Sequence, residues 1–156
     1  MNKSPILEFR KWYQKSKKQD AILATHMILA TVKKNSRPTA RTVLLKGMEN
    51  KGFRFFTNYN SQKSQELKSK SFAALVFNWY NIHLQIRVEG KVAKLSRQES
   101  VKYFKTRPRL SQLGAWASPQ SEKIPDRQFL LERVAVFEKK FKGVDVPCPP
   151  HWGGFI

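Results

Sequence analysis

The chain has 156 residues, the size of a single domain, and its 40% apolar and 12% aromatic content is enough to bury a core, which sets disorder aside. Thirty Lys and Arg against eleven Asp and Glu give a formal charge of +19, a field that gathers nucleic acid, acidic membrane or phosphorylated small molecules without choosing among them. No apolar run spans a bilayer, no signal-peptide core follows Met1-Asn2-Lys3-Ser4-Pro5, and the lone Cys148 with scattered His26, His83 and His151 offers neither an internal disulfide nor metal-ligand spacing.

The expectation is therefore one cytoplasmic, metal-free domain over residues 1–156. In chain order, Ser4 and Pro5 open a helix over 4–18, with Ile6, Phe9 and Tyr13 on one side and a basic far end. Residues 26–32 read as a strand, 35–38 as a turn and 39–46 as a second strand, which makes a hairpin. A turn at 49–52 leads to a strand over 53–57, and Ser61 caps a short helix over 61–69. The apolar run 72–79 suits a buried strand, and 84–95 alternates apolar with polar residues as a further strand.

Ser96-Arg97-Gln98-Glu99 is a capping box, and Pro108 should end its helix near Arg107. A loop follows. Pro125 then starts a helix with the stripe Leu130, Val134, Phe137 and Phe141, which Gly143 ends, and 147–156 is a Pro-rich tail. The sum is mainly β with flanking helices, an α+β chain whose hairpin-spaced strands close into a small antiparallel barrel.

No GxGxxG, GxxxxGK[ST], HExxH or GxSxG motif is present. With no nucleophile–base pair visible, any redox or transfer chemistry falls to a bound cofactor, and no catalytic residue is assigned. Three groups stand out as anion sites. Arg41 and Lys46 each interrupt an apolar stripe of one strand; Thr57 precedes Lys63 at a helix start; and Tyr103 and Arg107 share a helix face ahead of Ser111. Each group also has an ordinary explanation, as snorkelling strand-end cations, a capped surface helix and a cation at a helix C-terminus.

The segments Arg41-Thr42-Val43-Leu44-Leu45-Lys46, Phe56-Thr57-Asn58, Gln85 through Gly90, Tyr103-Phe104 through Gln112, Gly114-Ala115-Trp116, Gln120-Ser121 and Trp152-Gly153-Gly154-Phe155 occur in that order. Together they resemble the pyridoxamine 5′-phosphate oxidase family, over nearly the whole chain. The resemblance implies a homodimeric, antiparallel split β-barrel with FMN at the subunit interface. It implies that Arg41, Thr42, Val43, Leu44, Leu45 and Lys46 line the FMN site, with Arg41 near the cofactor phosphate. Phe56 and Thr57 stand where the family has Tyr-Thr, Lys63 matches a second phosphate cation, and Gln62 beside it replaces a family arginine. Gln85, Gln120 and Ser121 match further FMN contacts, and Lys46, Tyr103, Arg107 and Ser111 match the groups that hold the phosphate of the B6 substrate.

The implied reaction moves a hydride from the exocyclic carbon of pyridoxamine or pyridoxine 5′-phosphate to the flavin, with dioxygen as the final acceptor. His83 and Leu84 replace a family Glu-Arg pair. The family pattern continues past Trp-Gly-Gly-Phe with a tryptophan and an arginine for FMN, an Arg-x-His pair over the substrate and further strands. With the sequence running to Ile156, these groups and the basic segment ahead of the first helix are expected to be missing. Two alternatives stand beside the oxidase. One is a non-catalytic or degenerate binder of FMN or pyridoxal phosphate. The other is a basic nucleic-acid-binding module that stacks bases on Trp12, Tyr13, Phe77, Trp79 and Tyr80.

Overall fold

Chain order in the computed structural model, which describes residues 4–49 and 52–156, is α1 (Pro5–Gln19), β1 (His26–Val32), β2 (Pro38–Leu44), β3 (Gly47–Glu49), β4 (Gly52–Asn58), α2 (Gln62–Ser69), β5 (Phe72–Trp79), β6 (Leu84–Lys91), α3 (Arg97–Lys105), α4 (Arg109–Ala117), α5 (Arg127–Lys140) and β7 (Trp152–Phe155). Positions 50 and 51 of the turn expected at 49–52 lie outside the described residues, as does the opening Met1-Asn2-Lys3.

Four antiparallel strands form one sheet in the order β2-β1-β5-β6, and β3-β4-β7 form a second. Burial alternates along these strands. Leu29 and Leu75 pair across the sheet and face inward with Met27 and Phe77, while Thr42, Leu44, Gln85 and Arg87 face out. Backbone hydrogen bonds stitch the two sheets at both ends. Leu45 N–H donates to Thr25 and Lys46 N–H to Arg54, each at 2.8 Å; on the far side Ala93 and Ile156 exchange bonds at 2.9 Å.

Phe9 of α1, 2% exposed, drives into the space between the sheets and meets Phe53 at 4.8 Å and Phe77 at 4.9 Å, edge to face. Pro5 sits in the first turn as expected, but Ser4 caps through its carbonyl rather than its hydroxyl. The capping box forms: Ser96 Oγ accepts from Glu99 N–H at 3.2 Å, and the Glu99 carboxylate accepts from Ser96 N–H at 2.9 Å.

The structure corrects four expectations. The strand drawn over 84–95 ends at Lys91; Val92 then bonds Ser71, and the segment 93–95 crosses to β7. The stretch after Arg107 is helical, not a loop. Pro108 ends α3 and, with ψ at 143°, takes the N-cap position of α4, so one proline closes one helix and opens the next. The α5 helix begins at Arg127, because Asp126 rather than Pro125 supplies the cap, accepting from Phe129 N–H at 2.8 Å.

The end of the Pro-rich tail is a strand. Trp152–Phe155 is buried along its whole length and pairs with β4, with Thr57 opposite Gly153 and Phe56 opposite Gly154. The strand carries two adjacent glycines, Gly153 and Gly154. Here they let the strand pass where a Cβ on Gly154 would lie 2.5 Å from Leu95 and 2.7 Å from Phe56.

Candidate functional site

Where β2 runs into β3, beside β4 and under α3 and α4, a cavity of about 430 Å³ opens. Each wall follows from a local rule. The β2 strand contributes Thr42 and Leu44 from its outward face, then Lys46 after the bend. The end of β4 contributes Phe56, Thr57 and Asn58, and the first turn of α2 contributes Lys63. The end of α3 sets Tyr103 four residues before Arg107, so both face the cavity across from Ser111 on α4. Val43, Gly114, Ala115, Ser118, Gln120 and Trp152 complete the lining.

The lining holds Lys46, Lys63 and Arg107 and no carboxylate. Lys63 Nζ donates to Thr57 Oγ1 at 3.1 Å, Ser61 Oγ at 3.2 Å and Gln120 Oε1 at 3.3 Å, all neutral oxygens. Burial, and next the charge of Arg41, push the Lys63 pKa down, while Glu66 pulls it up. Thr57 Oγ1 in turn donates to Gln120 Oε1 at 2.9 Å, which ties β4 to the loop after α4.

On the opposite wall, Arg107 Nη1 is buried and has no hydrogen-bond partner among the described residues. Its guanidinium lies 4.6 Å from the centroid of the Trp152 ring. Burial lowers its pKa, an effect that Tyr103 and Cys148 oppose, and burial raises the pKa of Tyr103. Phe56 stacks on Tyr103 at 3.9 Å and on Trp152 at 5.4 Å, so the arginine rests on a pile of parallel rings. A cation without a carboxylate on one wall and an orphaned guanidinium N–H on the other are each short of an anion. The apolar surfaces of Val43, Leu44, Phe56 and Trp152 between them suit a planar ring. The lining therefore has the chemistry that a phosphorylated, flat heterocycle such as FMN requires.

Eleven residues assigned from the sequence line this cavity: Thr42, Val43, Leu44, Lys46, Phe56, Thr57, Lys63, Tyr103, Arg107, Ser111 and Gln120. Five lie elsewhere. Leu45 is a core residue, 4% exposed. Gln85 stands exposed on β6 opposite Asn78, and Ser121 is exposed with φ at 70°. Arg41 and Gln62 turn instead toward one buried carboxylate, Glu66.

Glu66 is 5% exposed. Its Oε2 accepts from Thr31 Oγ1 at 2.5 Å, Thr39 Oγ1 at 2.7 Å and Arg41 at 3.0 Å, and its Oε1 accepts from Gln62 at 2.9 Å. Arg41 also donates to the hydroxyls of Thr31 and Thr39. Burial pushes the Glu66 pKa up, but the bonds from Thr31, Thr39 and Gln62 and the charge of Arg41 outweigh it and hold the carboxyl at about 2. Sequence reasoning passed over Glu66. Its one signal was to be the single acid in Gln62-Lys63-Ser64-Gln65-Glu66-Leu67-Lys68-Ser69, four residues after Gln62. Trp152 and Asn58 were within recognised segments but had no role assigned to them.

A family model described as pyridoxamine 5′-phosphate oxidase matches residues 16–140. The chain belongs to the pyridoxamine 5′-phosphate oxidase family. All the cavity residues except Trp152 fall within the matched span. The chain is 48% identical over 155 residues to the pyridoxine/pyridoxamine 5′-phosphate oxidase of Acaryochloris marina, covering 99% of this chain and 71% of that protein. It is 46% identical to the Psychromonas ingrahamii enzyme of the same name, covering 97% of this chain and 70% of that one.

Among solved structures, PhzG from Burkholderia lata, crystallised with tetrahydrophenazine-1-carboxylic acid, superposes with a TM-score of 0.89 at 25% identity, over 97% of this chain and 74% of its own. A pyridoxamine 5′-phosphate oxidase-related, FMN-binding protein from Nostoc punctiforme superposes with a TM-score of 0.76 at 18% identity, over 99% of this chain and 81% of its own, and shows the shared fold. Among the described residues no helix is long and apolar enough to cross a membrane.

Proposed function

We propose that this family member holds FMN in the 430 Å³ cavity and oxidises pyridoxamine or pyridoxine 5′-phosphate, with dioxygen as electron acceptor. The observation that carries the reading is the pair of separate anion-seeking groups on opposite walls: Lys63 with no carboxylate on it, and Arg107 with a buried N–H lacking a partner. Two phosphates, one from a cofactor and one from a substrate, match two such groups. Lys63, Thr57 and Gln120 hold the first, and Tyr103, Arg107 and Ser111 hold the second, with Lys46 also in the lining. When bound, the flavin supplies the hydride acceptor; the protein supplies position and charge.

The homodimer belongs to the same proposal, with the two stitched sheets as the split barrel. Ile28, 42% exposed, and Leu44, 38% exposed, stand on the solvent face of the four-stranded sheet beside the cavity residue Thr42. A second copy packed on that face covers them and walls the cavity.

Purified protein titrated with FMN should quench flavin fluorescence, and adding pyridoxamine 5′-phosphate under air should then release pyridoxal 5′-phosphate. Flavin binding without turnover would reduce the proposal to a flavin holder. Absence of flavin binding would remove it.

A further inference from the structure

We propose that Arg97 is a positioning residue for the substrate phosphate: it locks the turn that carries Trp152, and Trp152 in turn holds the Arg107 guanidinium in place for an anion. The inference rests on the reading above, in which Tyr103, Arg107 and Ser111 take that phosphate. It names a residue outside the cavity lining that sets how well they do so.

Between α5 and β7 the chain has prolines at 147, 149 and 150 and no regular structure until Trp152. Proline supplies no N–H, so a segment this rich in it cannot satisfy its own carbonyls. Side chains of α3 and α4 do so instead. Trp116 Nε1 donates to the Pro147 carbonyl at 2.7 Å. Arg97, the first residue of α3, serves three more: Nη1 donates to Pro149 at 2.9 Å and to Trp152 at 3.0 Å, and Nη2 donates to Cys148. Trp152 N–H also donates to the Pro149 carbonyl, at 3.1 Å, so Arg97 Nη1 joins the first and last residues of the turn over 149–152. Among the described residues Arg97 forms no ion pair, and its N–H groups are spent on these neutral oxygens.

The indole that this turn presents is 6% exposed and backs one wall of the cavity. It lies 5.0 Å from Phe104 edge to face, 5.4 Å from Phe56 and 6.3 Å from Tyr103 in parallel stacks, and 4.6 Å from the Arg107 guanidinium. Arg107 Nη1 has no acceptor among the described residues to fix it, so the ring beneath it sets its direction. Arg97 thus ties the start of α3 to Trp152, and Tyr103 and Arg107, at and just beyond the other end of that helix, lean on the same ring. A guanidinium fork can keep three carbonyls in a fixed relation; an ammonium on a flexible stem cannot.

The test measures, by titration calorimetry on the full chain with FMN supplied, the preference for pyridoxamine 5′-phosphate over pyridoxamine, which lacks the phosphate. The unsubstituted chain should prefer the phosphorylated ligand. Arg97→Gln and Arg97→Lys should each lower that preference on the order of tenfold, the coupling expected of side chains in one contact network, with pyridoxamine and FMN affinities unchanged. In an Arg107→Met background, Arg97→Gln should lower it no further. Rescue by Arg97→Lys would overturn the inference, because charge rather than the fork would then be what matters. Additive effects of Arg97→Gln and Arg107→Met would overturn it too, as would a joint loss of FMN and pyridoxamine affinity in both Arg97 variants. If the unsubstituted chain showed no preference, the substrate-phosphate reading would fall and the inference with it; a preference that the Arg97 variants retain sinks the inference alone.

Discussion

The Arg107 guanidinium lies 4.6 Å from the centroid of Trp152, with Nη1 buried and unpaired among the described residues. A charged N–H kept dry without an acceptor costs stability, and a bound anion returns it. Arg107→Met should therefore weaken pyridoxamine 5′-phosphate on the order of 10- to 100-fold, the value of a charge-assisted hydrogen bond or two. The melting temperature of the ligand-free protein should hold or rise. Steady-state KM and a thermal melt check both halves, and a large loss of stability would contradict the reading.

Gly154 sits in β7, within the stretch that the sequence presents as a Pro-rich tail. Gly154→Ala puts a methyl 2.5 Å from Leu95 and 2.7 Å from Phe56, two side chains in packed surroundings. We expect a loss of about 1–3 kcal/mol in urea unfolding. Because Phe56 is the ring that stacks on Tyr103, the substitution should also disturb the cavity wall.

Glu66 predicts an acid limb. Its folded-state pKa is depressed to about 2 from the ordinary 4.5. Its contribution is therefore present above pH 4.5 and lost as pH falls from there toward 2. Thermal melts from pH 6 to pH 3 should fall more steeply for the unsubstituted chain than for Glu66→Gln. Parallel profiles would show that the carboxylate is not held as described.

The α3 helix carries Tyr103 and leads to Arg107, and its first turn is fixed twice, by the capping box and by Arg54, which donates to Glu99 at 2.8 Å. Ser96→Ala should cost about 1 kcal/mol. If the cap serves only to hold the helix, KM should change little once the protein is folded, and a chemical denaturation curve beside a KM measurement separates the two effects.

Much of the frame was legible in the chain because it is local. Alternation marked β6, since residues two apart share a face whatever the rest of the fold does, and short apolar runs bounded by turn residues marked β1 and β5. Ser96 and Glu99 announced α3, since both capping bonds close within four residues. The spacing of Tyr103 and Arg107 put them on one helix face, and the order of motifs pointed to the family. What sequence could not show was which long-range partner wins. That Arg41 would meet Glu66, 25 residues away, could not be read from either segment alone. Trp152–Phe155 became a strand because β4 on one side and residues 93–95 on the other needed it there. Periodicity is written into consecutive residues; the competition for a buried charge or a free strand edge is decided when distant segments meet.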